Sequence, residues 1–112
     1  MNKSEKFDED LRELALYARV ISHPARLAII RYLADTRTCI SGDISDHLPL
    51  SRSTVSQHLK ELRDAGLIHG EIDGLKINYC VCASGIEKFM ALFNSFFGPV
   101  KANGFDCEIN HE

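Results

Sequence analysis

Ser51-Arg52-Ser53-Thr54-Val55-Ser56-Gln57-His58-Leu59-Lys60-Glu61-Leu62-Arg63-Asp64-Ala65-Gly66 is the stretch on which the fold turns. Val55, Leu59 and Leu62 recur at i, i+4 and i+7, which lays one apolar stripe along a helix over Arg52–Ala65. Ser51 suits the N-cap, where a hydroxyl accepts from a first-turn N–H. Gly66 falls just past the end, where a left-handed residue closes a helix. The outward residues are Arg52, Ser53, Thr54, Ser56, Gln57 and Lys60. Short hydroxyls, an amide and cations can hydrogen-bond base edges and phosphates without the repulsion a carboxylate brings. Glu61 and Asp64 come only in the later turns. Three cations (Arg52, Lys60, Arg63) against two anions give the helix +1 in a chain of formal net charge −3. Alone, this is an ordinary amphipathic helix with a solvated polar face.

The residues after Gly66 point further. Ile68, Gly70 and Ile72 alternate with His69, Glu71 and Asp73, and Leu75, Ile77, Tyr79 and Val81 alternate with Lys76, Asn78, Cys80 and Cys82. Period two marks strands, and Asp73-Gly74 between them is a two-residue hairpin signal. Upstream, Leu11, Leu14, Ala15, Ala18 and Ile21 predict a helix over Phe7–Ile21. Ser22 is expected to cap a second helix reaching about Ala34, with Pro24 in its first turn and Leu27, Ile30 and Leu33 inward. A short third helix is expected over Ile40–His47, anchored by Ile44 and Leu48 and ended by Pro49. Downstream, Ser84-Gly85-Ile86-Glu87 reads as a capping box. The last helix carries Ile86, Phe89, Met90, Phe93 and Phe97 on one stripe, with Gly98-Pro99 as its stop. Residues 1–98 form one domain in this reading, and 99–112 a flexible polar tail.

Helix, turn, helix and hairpin in that order is a winged helix-turn-helix: mainly α, with a β-hairpin wing. Its second helix enters the major groove and its wing lies against the phosphates. Lys76 stands near the wing tip. The DNA-contacting set is therefore Arg52, Ser53, Thr54, Ser56, Gln57, Lys60 and Lys76. The acidic net charge argues mildly against nonspecific polyanion binding, but the local field decides. The last helix carries more apolar surface than one small domain covers, so a partner helix is expected.

The rest of the chain narrows the class. The 112 residues suffice for one domain, with 45% hydrophobic and 26% charged residues. There is no long apolar run to span a membrane, and Met1–Asp10 is too charged for a secretory signal, so a cytoplasmic protein is expected. No Gly-rich phosphate loop and no nucleophile–histidine spacing suggests an enzyme. No cofactor is needed for folding. The four cysteines are expected to be thiols rather than structural disulfides.

Two segments, Ser22-His23-Pro24-Ala25-Arg26-Leu27-Ala28-Ile29-Ile30 and Leu50 through Ile68, resemble the ArsR/SmtB family of ligand-sensing repressors, over roughly residues 10–97. The resemblance implies a homodimer joined by the first and last helices, with Leu11, Leu14, Phe89, Phe93 and Phe97 at the seam. It also implies a near-palindromic operator in double-stranded DNA, released by an inducer. A common zinc site of the family uses Asp and His residues on the last helix. Ser84–Phe97 contains no His, Asp or Cys, so that site is absent. A second common site is a Cys-x-Cys pair entering the third helix. Here Cys39 is present and Ser41 stands in the second place.

Cys39, Cys80, Cys82 and Cys107 are the candidate metal ligands. Cys39 stands where helix N–H groups favour a thiolate; the alternative is a small residue filling a corner. Cys80 and Cys82 share the polar face of a strand; the alternative is that the strand ends there and one cysteine tucks under the last helix. Cys107 lies in the tail near Glu108 and His111, as ligand or as solvent thiol. His23, His47, His58 and His69 read as helix-start, surface or packing residues. Soft thiolates select soft ions, so a thiophilic metal or metalloid is the expected inducer, with As(III) first. A redox or sulfur-species switch on the same thiols is the second possibility, and a dimeric interaction module without DNA binding the third.

Overall fold

The computed structural model describes residues 6–36, 44–73 and 76–105. Its elements are α1 (Glu9–Val20), α2 (Pro24–Thr36), a single 3-10 turn (Ile44–His47), α3 (Arg52–Asp64), β1 (Ile68–Asp73), β2 (Lys76–Val81) and α4 (Ala83–Asn103). This is a mainly helical chain with a two-stranded antiparallel wing, as the sequence predicts. The expected third helix is represented by the 3-10 turn, and its first residues lie outside the described set.

Ser51 caps α3 by accepting from the Thr54 N–H at 3.3 Å. At the other end Gly66 takes φ +79°, the Gly66 N–H bonds the Arg63 carbonyl (2.9 Å) and the Leu67 N–H bonds the Leu62 carbonyl (3.0 Å). That is the Schellman closure, which satisfies the last carbonyls. Leu67, fully buried, then drives the chain into β1. In the wing, Ile68 pairs with Val81, Gly70 with Tyr79 and Asp73 with Lys76. Asp73 is thus a strand residue, so the two-residue connection falls one place later than Asp73-Gly74, on positions outside the described residues.

The core gathers Tyr17 and Val20 of α1, Ile29 and Leu33 of α2, Ile44, the Val55/Leu59/Leu62 stripe of α3, and Leu67 and Ile68. Two inward stripes differ from the expected ones. In α1, Leu14, Tyr17 and Val20 are buried while Leu11, Ala15 and Ala18 are exposed, because Tyr17 turns in against Phe89 of α4 (centroids 5.2 Å). In α2, Leu27 is exposed and Ile29 takes the centre. Ser22 does not cap α2. Its hydroxyl donates back to the Arg19 carbonyl of α1 (2.7 Å), while the His23 carbonyl accepts the first α2 bonds.

Both ends of α4 also depart from expectation. It starts at Ala83 with Cys82 as N-cap, so the Ser84 capping box does not form. The Cys82 N–H bonds the Leu67 carbonyl (3.0 Å), and Gly85 lies so close to Gly66 that a Cβ there would sit 1.8 Å from the Gly66 oxygen. This contact with the end of α3 sets the helix start. Gly98-Pro99 does not stop it. A helical proline removes one N–H and crowds the carbonyl four residues back, but Ser95 is exposed, so water can take that carbonyl, and the helix runs to Asn103. No residue of α4 is fully buried, although Met90, Phe93, Phe96, Phe97 and Val100 lie along it. The Lys88–Glu13 ion pair (2.8 Å) ties α4 to α1.

Candidate nucleic-acid interface and thiol site

α3 presents its polar residues as a face because its apolar stripe is pinned in the core. Val55, Leu59 and Leu62 are 3%, 6% and 0% exposed, and the residues between them must point outward. Arg52, Ser53, Thr54, Ser56, Gln57 and Lys60 are all exposed. Gln57 Nε2 donates to Glu61 Oε1 and Lys60 Nζ to Asp64 Oδ2, each at 3.3 Å. The amide of Gln57 and the ammonium of Lys60 are therefore each held by a carboxylate one turn on. Lys76 opens β2 opposite Asp73; its side chain lies outside the described residues.

Behind this face sits a cluster that the sequence reading missed. Arg26 of α2 donates from Nε to His58 Nδ1 (2.9 Å) and from a terminal guanidinium nitrogen to the Val20 carbonyl (3.1 Å). His23 lies beside His58, ring centroids 5.6 Å apart. One arginine thus joins the end of α1, the start of α2 and the middle of α3. Arg26 can only donate, so His58 Nδ1 must be unprotonated. Burial, then Arg26, then His23 lower the His58 pKa from its ordinary 6.5. The only local hint was the spacing of His23 and Arg26 ahead of a histidine on α3. His47 also has a partner: its ring stacks on Tyr32 (5.3 Å). His69 is exposed.

The cysteines do not all behave as expected. Cys80 lies on β2 opposite His69 and is disulfide-bonded, contrary to the expectation of four thiols. Its partner is outside the described residues. Cys82 has left the sheet to cap α4, as in the alternative reading of that strand end, and is a free thiol. The Ser84 hydroxyl, 3.4 Å from Sγ, lowers its pKa, helped by the Gly85 N–H. Cys39 and Cys107 lie outside the described residues. Among the described residues no three His, Cys, Asp or Glu side chains gather as a metal site, and no helix is long and apolar enough to cross a membrane.

Of the expected seam residues, Leu11, Phe93 and Phe97 are 39–45% exposed, whereas Leu14 is buried and Phe89 is packed against Tyr17. Phe93 and Phe97 meet with tilted rings, centroids 4.6 Å apart, and Phe96 meets Phe97 edge-on at 4.8 Å. The stripe is continuous along the exposed side of α4.

Comparison with known proteins gives concordant matches. A family model described as "Bacterial regulatory protein, arsR family" matches residues 23–69. The transcriptional regulator CmtR of Mycobacterium tuberculosis is 35% identical over 81 residues, covering 70% of this chain and 68% of CmtR. An NMR structure of the cadmium metal-sensor CMTR from that organism superimposes with a TM-score of 0.52 at 29% identity, covering 88% of this chain and 96% of that one. The transcriptional regulator YgaV of Escherichia coli is 27% identical over 99 residues, covering 88% of this chain and all of YgaV. An ArsR-like regulator from Rhodococcus sp. RHA1 has the same fold, with a TM-score of 0.70 at 24% identity over 82% of this chain and 86% of that one.

Proposed function

Because this chain belongs to the ArsR family, and is thus a transcriptional regulator rather than an enzyme, we propose that it is a homodimeric, cytoplasmic repressor whose α3 reads operator DNA and whose thiols receive the releasing signal. The observation that carries the DNA half is the exposed set Arg52, Ser53, Thr54, Ser56, Gln57 and Lys60 on a helix whose opposite stripe is locked in the core. The wing beside it, with Lys76, supplies a second contact to phosphate. The seam is the α1–α4 surface bearing Leu11, Phe93 and Phe97, with Leu14 and Phe89 beneath it. Gln57→Ala should lose base discrimination, by about 1–3 kcal/mol where Gln57 makes a bidentate contact, and Lys60→Ala should weaken all sequences alike. Operator binding by both variants equal to the parent's would reject α3 as the reading helix.

For the signal, a thiophilic ion is the first reading, with As(III) as its leading candidate. Trivalent arsenic takes three thiolates, which Cys39, Cys82 and, once its disulfide is reduced, Cys80 supply in this proposal, with Cys107 as a substitute. Support comes from the soft-donor chemistry of cysteine sulfur and from a family whose relative CmtR is described as a cadmium sensor. Linking the cysteines would shift α3 relative to the dimer core and misplace the half-sites.

One observation favours a second reading, a redox switch: Cys80 is disulfide-bonded beside the free, acidified Cys82. Closing such a disulfide takes two electrons and two protons from two thiols, delivered to an oxidant such as a disulfide or polysulfide. DNA release titrated with arsenite in excess reductant separates the two. A metalloid still acts there, and an oxidative trigger does not.

A further inference from the structure

The bond from Gln57 Nε2 to Glu61 Oε1 fixes more than the position of a side chain. A glutamine amide offers a donor end and an acceptor end, and its orientation is ordinarily ambiguous. A carboxylate can only accept. Glu61 therefore meets Gln57 nitrogen first, and the amide oxygen, with two lone pairs, is the end turned toward anything beyond the helix. Asp64, the other carboxylate of this face, is engaged with Lys60. Glu61 is half-buried on the flank of α3 while Gln57 is exposed. Such an i, i+4 pair is weak in water. Against DNA the water is displaced and an unmade bond costs more, so the bias is strongest where the base is read.

We propose that Glu61 is a positioning residue that sets the base specificity of α3 through Gln57. An unrestrained glutamine pairs with adenine in bidentate fashion, using both ends of the amide. Held by Glu61, Gln57 presents its oxygen and selects an exocyclic amine in the major groove, cytosine N4 or adenine N6. Guanine N7 and O6 and thymine O4 are disfavoured, because they would set acceptor against acceptor at the amide oxygen and leave only the second Gln57 N–H to bond them. The inference rests on α3 being the reading helix.

The test uses the full-length protein. Duplexes are selected from a randomised pool with the parent, and base preference is then measured by competition at the position where Gln57→Ala loses discrimination. On the strand that Gln57 contacts, the preferred base there should be adenine or cytosine, by about tenfold over guanine and thymine. Glu61→Ala should bring that preference to within about twofold, because the amide can then turn over. Glu61→Gln should keep it, because the replacement amide still has an acceptor oxygen for the Gln57 N–H. Both Glu61 variants remove the same negative charge, so a purely electrostatic role would make them behave alike. Equal preference in the two variants, or a preferred base that presents only acceptors to Gln57, overturns the proposal. If Gln57→Ala changes no position while Lys60→Ala still weakens binding, the role of Gln57 falls and α3 stays on DNA. If neither changes binding, the reading helix itself is wrong.

Discussion

Alanine at Gly85 and alanine at Gly98, two substitutions on the same helix, should differ sharply in their cost to stability. At Gly85 a Cβ would stand 1.8 Å from the Gly66 oxygen and 2.8 Å from its carbonyl carbon. That oxygen cannot swing aside, because Gly66 sits at φ +79° inside the closure of α3. To reach even 3.0 Å, the first turn of α4 must withdraw by about 1.2 Å (3.0 − 1.8). The bond from Cys82 N–H to the Leu67 carbonyl, now 3.0 Å, lies in the path of that withdrawal. Overpacking costs about 1–3 kcal/mol and a lost backbone bond about 0.5–1.5, so Gly85→Ala should destabilise by roughly 2–4 kcal/mol. For a domain of this size that lowers Tm on the order of 10–20 °C. At Gly98 nothing lies within 4 Å of a new Cβ apart from its chain neighbours and the backbone of its own helix. Gly98→Ala gains about 0.5–1 kcal/mol in backbone entropy, but a Cβ on the residue before Pro99 meets the proline ring, which disfavours the helical conformation there. The two effects offset, so stability should change by less than about 1 kcal/mol. Urea unfolding of both variants, at one protein concentration because the proposed dimer would link stability to concentration, reads the two values. A Gly85→Ala protein within about 0.5 kcal/mol of the parent would refute the claim that this contact sets the start of α4.

The same geometry bears on pH dependence, assembly and release. The His58 pKa is lowered in the folded chain from about 6.5, so the unfolded chain binds the proton more tightly. Stability is then full above pH 6.5 and falls as pH drops toward the folded value. His58→Ala should flatten that slope between about pH 7.5 and 5.5 in urea titrations, and an unchanged slope would assign it elsewhere. Phe93→Asp should dissociate the dimer by placing an unpaired charge in an apolar seam, and sedimentation showing an intact dimer would move the interface. Cys39→Ser should still bind DNA but no longer release it with arsenite. Full release from that variant would remove Cys39 from the trigger.

Sequence by itself determined whatever is local. The Val55/Leu59/Leu62 stripe, the Ser51 cap and the Gly66 closure all work within one helix, so α3 and its outward face were legible residue by residue. Strand alternation likewise settled which side of the wing faces the core, because a one-residue slip would turn every side chain over. Tertiary structure decided what depends on distant neighbours. Tyr17 replaces Leu11 on the inward side of α1 because Phe89 is there to receive it. Cys82, not Ser84, caps α4 because Gly85 must meet Gly66 across the fold. Pro99 stays helical because its turn faces solvent. Arg26 and His58 are 32 residues apart in the chain. No periodicity carries a bond over that span, and only the packing of α2 on α3 brings the guanidinium to the ring.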